Sequence, residues 1–152
     1  MKKIIWYSLL LGATFLAPVQ GTDVGKLLPV EVVQLYKEAD TVIIATDAGP
    51  TGSGTTVDEA VADMKATAPG IVFLDTADHL LIKDLSDEEV GALGKYLKPS
   101  VRVCNQIGQV DPEEAAAFLR VHKPQQRLKD RKGGNAAQAL TAENGRMILK
   151  DN

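Results

Sequence analysis

The fold is decided by residues 56–75, which read TVDEAVADMKATAPGIVFLD. Thr56 is a suitable helix N-cap, and Glu59 three residues later completes a capping box. The apolar face that follows at helical spacing consists of Val57, Ala60, Val61 and Met64. The Pro-Gly pair at positions 69–70 ends the helix, and the continuous apolar run at 71–74 predicts a buried strand. A helix followed by a buried strand indicates an α/β unit.

The same pattern occurs again downstream. Ser86 and Glu89 form a second capping box. The apolar stripe behind it consists of Val90, Leu93 and Leu97. Residues 101–107 return as a strand. Asp111 followed by Pro112 predicts a third helix start, because aspartate caps a helix and proline favours its first position.

Two strands precede this unit. Residues 30–36 and the β-branched run at 41–46 flank a polar break, which predicts a β-hairpin. Residues 48–54 are glycine-rich and predict a loop, and residues 80–82 resume the strand pattern before the second helix. The order ββαβαβα predicts an α/β single small domain, in which helices cover a mixed three- to four-stranded sheet. The α+β class is the alternative.

Residues 1–21 have the features of a targeting segment. A Lys-Lys pair at 2–3 precedes an uncharged apolar run at 4–16. Val19 and Gly21 lie at the −3 and −1 positions of a signal-peptidase site, and the apolar run is shorter than the about 20 residues of a membrane span. We therefore predict export, with cleavage after Gly21; an uncleaved N-terminal anchor at the membrane is the alternative.

Charge is distributed unevenly along the rest of the chain. Residues 22–122, the predicted α/β domain, contain 8 basic and 17 acidic residues, a net charge of −9. Residues 123–152 contain 7 basic and 3 acidic residues, a net charge of +4. The acidic domain argues against a nucleic-acid partner. The polar composition of residues 123–152 predicts a basic, largely flexible tail, in which only residues 146–150 indicate a short strand. This tail is either simply solvated or in contact with an anionic membrane surface.

The glycine-rich stretch at 49–56 has the spacing of a phosphate-binding loop, since it follows a strand and opens a helix. Its candidate ligand-binding residues are Gly52, Ser53, Gly54, Thr55 and Thr56. Thr55 occupies the position where that motif requires a lysine to neutralise the phosphates. A loop before a well-capped helix is therefore the favoured interpretation, and a nucleotide-binding protein is the alternative function.

A second polar cluster contains Asp75, Asp78 and His79. Two carboxylates and an imidazole are suited to metal binding or to acid–base chemistry. In an extended strand, however, Asp75 and Asp78 face opposite sides. We therefore favour a strand bend with surface acids, and we predict no metal, no cofactor and no catalytic residue.

Cys104 is the only cysteine, and its place in the strand at 101–107 predicts a buried, unreactive thiol. The sequence contains no Gly-x-Ser-x-Gly motif, no His-Glu-x-x-His motif and no paired Cys-x-x-Cys motifs. These absences favour a protein that is not an enzyme.

Residues 54–61, which read GTTVDEAV, and residues 79–82, which read HLLI, resemble motifs in the N-terminal domain of the Ger(x)C family, the C subunits of spore germinant receptors. The similarity extends over residues 41–108 and includes a strand that ends at Gly108. The chain departs from that family in its short length and in having no lipid-bearing cysteine after the signal segment. The resemblance implies an α/β domain with a non-enzymatic role beside membrane subunits.

These observations predict a non-catalytic, exported accessory or binding domain at the outer face of a membrane. The resemblance adds a connection to sporulation or germination. The expected partner is a membrane protein or a small ligand.

Overall fold

A seven-stranded mixed β-sheet forms the centre of the computed structural model, which describes residues 26–152. The strands are β1 (Leu27–Pro29), β2 (Val32–Glu38), β3 (Thr41–Thr46), β4 (Thr51–Gly54), β5 (Ile71–Phe73), β6 (His79–Lys83), β7 (Arg102–Ile107), β8 (Gln138–Glu143) and β9 (Arg146–Asp151). The helices are α1 (Val57–Thr67), α2 (Asp87–Leu93) and α3 (Pro112–Leu119). Short 3-10 turns occur at Leu74–Thr76 and Leu128–Asp130. The mixed α/β class predicted from the sequence is confirmed.

The strand order of the sheet is β4-β3-β2-β6-β7-β8-β9. Its inner strands β2, β6, β7 and β8 run parallel to one another, whereas β3, β4 and β9 are antiparallel to their neighbours. β2 and β3 are the predicted hairpin. β1 and β5 form a separate two-stranded parallel sheet. The prediction of three to four strands is wrong because β4, β8 and β9 lie in segments that the sequence presented as loop or tail.

Side chains alternate between the two faces of the sheet, and both faces are buried. In β6, Leu80 and Ile82 pack with α1 and α2, whereas Leu81 packs with α3 on the other face. Cys104 lies in the second core and is 0% exposed. The predicted burial of this cysteine is therefore confirmed. Burial also raises the pKa of its thiol to about 12.

The three helices begin where their capping residues predict. The Thr56 side chain accepts a hydrogen bond from the backbone N–H of Glu59. Ser86 and Glu89 form the complete capping box, with both reciprocal hydrogen bonds. Asp111 accepts hydrogen bonds from two backbone amides of α3. Local sequence therefore determines the helix starts in this domain.

The glycine-rich segment contains a strand, β4, and is not the predicted loop. β4 pairs with β3 and packs directly against α1. A Cβ atom on Gly52 would overlap the backbone of Ala60 and Met64, and would lie 2.7 Å from the Cβ of Met64. Because glycine has no side chain, the helix backbone can approach the strand this closely. Close packing of α1 thus accounts for glycine at this position.

Residues 138–151 complete the sheet, so the prediction of a flexible tail is wrong for this part of it. β8 pairs in parallel with β7, and β9 returns beside β8 through the turn at Asn144 and Gly145. Both turn residues have positive φ, at 52° and 72°, as two-residue hairpin turns require. Ala139 and Leu140 are 1% and 0% exposed. These buried apolar side chains stabilise the segment despite its polar surroundings.

The predicted signal segment at residues 1–21 lies outside the residues that the structure describes. A helix that crosses a membrane usually needs about 20 residues. Between residues 26 and 152, no helix is long and apolar enough to do so.

Candidate functional site

A cleft lies at the carboxyl ends of the parallel strands β6 and β7. α2 precedes β7 and packs on one face of the sheet, whereas α3 follows β7 and packs on the other. The connections that leave the carboxyl ends of β6 and β7 therefore lead to opposite faces of the sheet. In open α/β sheets, ligands bind in the crevice that forms between two such connections. Two cavities open here, and they share Lys83 and Gln106. We name them the amide cavity and the acidic cavity, and together the cleft.

The amide cavity has a volume of about 500 Å³. Its polar lining consists of Lys83, Asp84, Asn105, Gln106, Arg131, Asn135 and Asn152. Its apolar wall consists of Ile82, Leu85 and Ile107. Ile107 is 53% exposed, which is unusual for a large apolar side chain in this domain. An apolar wall with a few converging polar groups is the usual form of a small-ligand site.

The first turn of α2 holds Arg131 at the wall of the amide cavity. The Arg131 side chain is 6% exposed, and its guanidinium lies 2.8 Å from a carboxylate oxygen of Asp87. The same carboxylate accepts hydrogen bonds from the backbone N–H of Gly134 at 2.9 and 3.1 Å. Among residues 26–152, no group accepts a hydrogen bond from Arg131 Nε, although this atom is buried. The same guanidinium also donates to the carbonyl oxygen of Gly134, so the hydrogen bonds of Arg131 hold residues 131–134 against the first turn of α2.

The acidic cavity has a volume of about 470 Å³ and lies on the α3 side of the sheet. Two buried amides form its floor: Gln34 Nε2 donates to Gln106 Oε1 and, at 3.0 Å, to the carbonyl oxygen of Val110. Gln106 Nε2 donates in turn to the carbonyl oxygen of Gly108 at 2.9 Å. The exposed carboxylates in its lining are those of Glu38, Asp111 and Glu114. Hydrogen bonds therefore fix the floor, while the acids remain accessible.

Lys83 lies where the two cavities meet. It is the last residue of β6 and pairs across the sheet with Tyr36 in β2. None of the ion pairs formed among residues 26–152 includes Lys83. Burial and the nearby charge of Glu38 raise the pKa of Tyr36, so its hydroxyl is neutral at physiological pH. The junction thus presents one cation and one neutral hydroxyl to the cleft.

The ligand-binding residues predicted in the glycine-rich segment lie outside this cleft. The strand β4 contains Gly52, Ser53 and Gly54, and the connection to α1 contains Thr55 and Thr56. The Ser53 N–H donates to Asp63 at 2.9 Å, and the Thr55 N–H donates to Glu59 at 2.8 Å. A phosphate-binding loop needs free amides, and here carboxylates of α1 occupy them. The geometry therefore argues against a phosphate site in this segment.

Asp75, Asp78 and His79 are neighbours in sequence but have different surroundings. Asp75 is exposed in a 3-10 turn. Asp78 is 2.6 Å from Lys98, and the hydrogen bond from Lys98 lowers the pKa of Asp78. His79 begins β6, is 4% exposed, and has no hydrogen-bond partner for Nε2 among residues 26–152. In that same part of the chain, no group of three histidine, cysteine or acidic side chains is placed to hold a metal ion.

Domain stability is expected to fall as pH decreases below about 6.5 because of His79. Burial lowers the pKa of His79 below its ordinary value of 6.5. The charge of Asp78 opposes this shift, whereas the charges of Arg102 and Lys123 act in the same direction. The unfolded chain then binds this proton more readily than the folded chain, so stability is full above about pH 6.5 and is lost as pH falls below it. Thermal unfolding of His79→Met should show a smaller loss over this range.

His122 provides the control for this experiment. It is the other histidine of the chain, it is exposed, and its ring stacks on Phe118 with a centroid distance of 4.4 Å. The variant His122→Gln should keep the pH dependence of the unmodified protein. Equal pH dependence in the unmodified protein and in His79→Met would contradict the assignment.

The residues that line the cleft were not identified from the sequence. One signal was present, because the polar pair Asn105 and Gln106 follows the apolar residues Val103 and Cys104 near the carboxyl end of a strand, where α/β proteins bind ligands. Arg131 had no comparable signal. It lies in the polar segment interpreted as a tail, and a long-range ion pair with Asp87 brings it to the cleft.

Comparison of the chain with protein-family models, with curated proteins and with solved structures gave no match. The resemblance to the Ger(x)C family therefore stays a prediction from the sequence. Interpretation of the cleft rests on its own residues.

Proposed function

We propose that this protein is a non-catalytic binding domain that holds a small ligand in the cleft. The observation that carries the proposal is the meeting of two cavities at Lys83, outside the carboxyl ends of β6 and β7. This is the position where open α/β sheets bind ligands. The partly exposed Ile107 supplies an apolar contact, and Lys83, which takes part in none of the ion pairs formed within residues 26–152, supplies a charge.

The chemistry of the lining favours binding over catalysis. The two cavities are lined by amides, charged side chains, apolar side chains and the Tyr36 hydroxyl. Within the described chain, their lining includes no serine, threonine, cysteine or histidine. Covalent catalysis requires a nucleophile beside a group that activates it. The raised pKa of Tyr36 makes it a poor nucleophile, and no ion pair formed within residues 26–152 places an activating carboxylate on Lys83.

The setting that we propose is outside the cytoplasm, at the outer face of a membrane and beside a membrane protein. The targeting features of residues 1–21 support export, and the Ger(x)C resemblance supports a role in germination. Mass spectrometry of cell fractions is expected to find either a chain that begins at Thr22 or an intact chain in the membrane fraction. An intact chain in the soluble cytoplasm would contradict this setting.

Nuclear magnetic resonance with a library of small polar fragments tests the binding site. Amide chemical-shift changes are expected to cluster at residues 82–85, 105–111 and 131–135, because these segments enclose the cleft. The variant Ile107→Trp should abolish shifts in the amide cavity, since the larger side chain fills the space at its apolar wall.

The control variant is Val121→Trp, at a side chain that is 75% exposed and does not line the cleft. It should leave fragment binding unchanged. Fragment hits that cluster elsewhere, such as at the exposed Ile71 and Phe73, would contradict the proposed site. A complete absence of hits at the cleft would do the same.

A further inference from the structure

We propose that an apolar patch on the small β1–β5 sheet rests this domain on a phospholipid surface. The apolar patch consists of Leu27, Pro29, Ile71 and Phe73. This inference rests on the proposed setting at the outer face of a membrane, because it names the surface of the domain that contacts the lipid.

The pairing of β1 and β5 places the four side chains of the apolar patch on one face. The two strands pair in parallel, residue for residue. Their middle residues, Leu28 and Val72, pack inward with the core beneath α1 and α2. Because side chains alternate along a strand, the first and last residues of each strand point away from that core. Ile71 is 47% exposed and Phe73 is 36% exposed. A contiguous exposed apolar surface of this kind marks an interaction site.

The surroundings of the apolar patch suit the boundary between lipid and water. A shallow cavity beside Ile71 and Phe73 is also lined by Lys65 and Tyr96. Lys65 Nζ lies 5.2 Å from the centre of the Tyr96 ring. Tyrosine and lysine beside apolar side chains are typical of protein segments at membrane interfaces, where the lysine amine reaches the headgroups.

The local charge differs from the acidic charge of the domain as a whole. Lys26 directly precedes β1, and neither Lys26 nor Lys65 takes part in the ion pairs formed within residues 26–152. Asp75 is the acid in the lining of the shallow cavity. Charges farther away than about 8 Å are largely screened at physiological salt. The two lysines therefore favour anionic headgroups despite the distant acids.

The chain enters the structure at the edge of the apolar patch. The described residues begin at Lys26, and β1 begins one residue later. Residues 17–26 connect the uncharged apolar run at 4–16 to β1. Ten residues span at most about 36 Å. A membrane that holds the predicted targeting segment is therefore within reach of the apolar patch.

The apolar patch and the cleft lie at opposite ends of the parallel strands. β1 leads into the amino end of β2, and β5 leads into the amino end of β6 through the turn at Leu74–Thr76. The Val30 N–H donates to the Thr76 hydroxyl at 2.9 Å, which joins these two connections. The cleft lies outside the carboxyl ends of β6 and β7. A domain that rests on lipid through the apolar patch thus keeps the cleft open to solvent.

Other occupants fit the apolar patch less well. β5 is three residues long, so a strand added at its edge would gain few backbone hydrogen bonds. A stable dimer interface buries about 800 Å² on each partner, and four partly exposed side chains offer only a fraction of that area. A lipid surface requires neither a long edge nor a large matching surface.

Tryptophan fluorescence tests the inference on the chain that begins at Thr22. This chain contains no tryptophan, because the one in the sequence is Trp6. It retains both cores, whose members lie between residues 28 and 149. Phe73→Trp therefore places a single probe in the apolar patch, and Ile107→Trp places one at the cleft.

The vesicles contain equal amounts of phosphatidylcholine and phosphatidylglycerol. With them, the emission of Phe73→Trp is expected to shift to shorter wavelength and to be quenched by bromine-labelled lipid chains, because this side chain enters the interface. The emission of Ile107→Trp should show neither change, since the cleft points away from the lipid.

Sedimentation with the same vesicles measures the contribution of each part. Ile71→Ser and Phe73→Ser in one chain should lower the partition coefficient by about tenfold or more, because two large apolar side chains no longer enter the lipid. The matched control is Ile107→Ser, at a side chain that is 53% exposed and lies outside the apolar patch. It should leave partitioning unchanged.

Lys65→Gln tests the electrostatic part of the contact. It should lower partitioning into the mixed vesicles by about fivefold and have little effect with phosphatidylcholine alone. The matched control is Lys132→Gln, which removes an exposed lysine beside the cleft and should change neither.

The outcomes separate the inference from the proposed function. Equal quenching of Phe73→Trp and Ile107→Trp, or quenching of neither, would overturn the lipid contact. Dimerisation that the double serine variant abolishes, without vesicle binding, would assign the apolar patch to a second copy and overturn it as well. If the chain occurs in the membrane fraction but shows no vesicle contact at the apolar patch, the proposed setting stands and the inference fails. An intact chain in the soluble cytoplasm would remove both.

Discussion

Gly52→Ala is expected to destabilise the domain by about 3 kcal/mol or more, the upper range for forcing atoms into a packed interior. The new methyl group would overlap the carbonyl oxygen of Ala60 and the backbone nitrogen of Met64. Both are main-chain atoms of α1, so no side-chain rotation relieves the overlap. Either α1 moves away from β4 or the strand leaves the edge of the sheet, and both changes expose the core around Met64.

Urea unfolding followed by circular dichroism measures this effect, and Gly91→Ala is its matched control. Gly91 lies within α2, and a Cβ atom added there has no neighbour within 4 Å. Alanine at this exposed helical position should therefore leave stability unchanged or raise it by up to about 1 kcal/mol. Equal unfolding midpoints for Gly52→Ala and the unmodified protein would mean that the glycine-rich segment is the free loop that its sequence suggested.

Removal of residues 138–152 is expected to abolish cooperative unfolding. This truncation deletes β8 and β9, uncovers the edge of β7, and removes Leu140, which is fully buried in the core beneath α3. Burial of one such leucine contributes about 2–5 kcal/mol, while a whole domain is stable by only about 5–15 kcal/mol. The loss of two strands should therefore exceed the stability that the domain has.

The point variant Leu140→Ala tests the same strand within an intact chain. It should lower stability by about 2–5 kcal/mol, and Val121→Ala, at a side chain that is 75% exposed, should have almost no effect. A truncated chain that unfolds at the unmodified midpoint would show that β8 and β9 are a dispensable appendage.

Local sequence was sufficient for features that local interactions form. The helix starts at Thr56, Ser86 and Asp111 depend on hydrogen bonds within three residues, and the β2–β3 hairpin depends on a short polar break. The turn at Asn144 and Gly145 belongs to the same class, since Asn-Gly between two runs with apolar residues predicts a hairpin. The polar and basic composition of residues 123–152 as a whole masks this local signal.

The remaining features depend on contacts between distant parts of the chain. β4 is a strand although glycine disfavours strands. The backbone of α1 approaches Gly52 so closely that no side chain fits between them. The cleft joins Lys83, Asn105 and Arg131, each from a different segment, through parallel strand order and the ion pair with Asp87. No pattern within a single segment contains this information.

The place of β8 in the sheet determines when the domain can fold during synthesis. β8 is an inner strand, yet it follows the other three parallel strands in sequence. A ribosome that releases the chain from its N-terminus delivers β8 and β9 after them. Until then β7 has a free edge, and pairings between distant segments form slowly. The sheet therefore cannot be completed during synthesis until residues 138–151 have emerged.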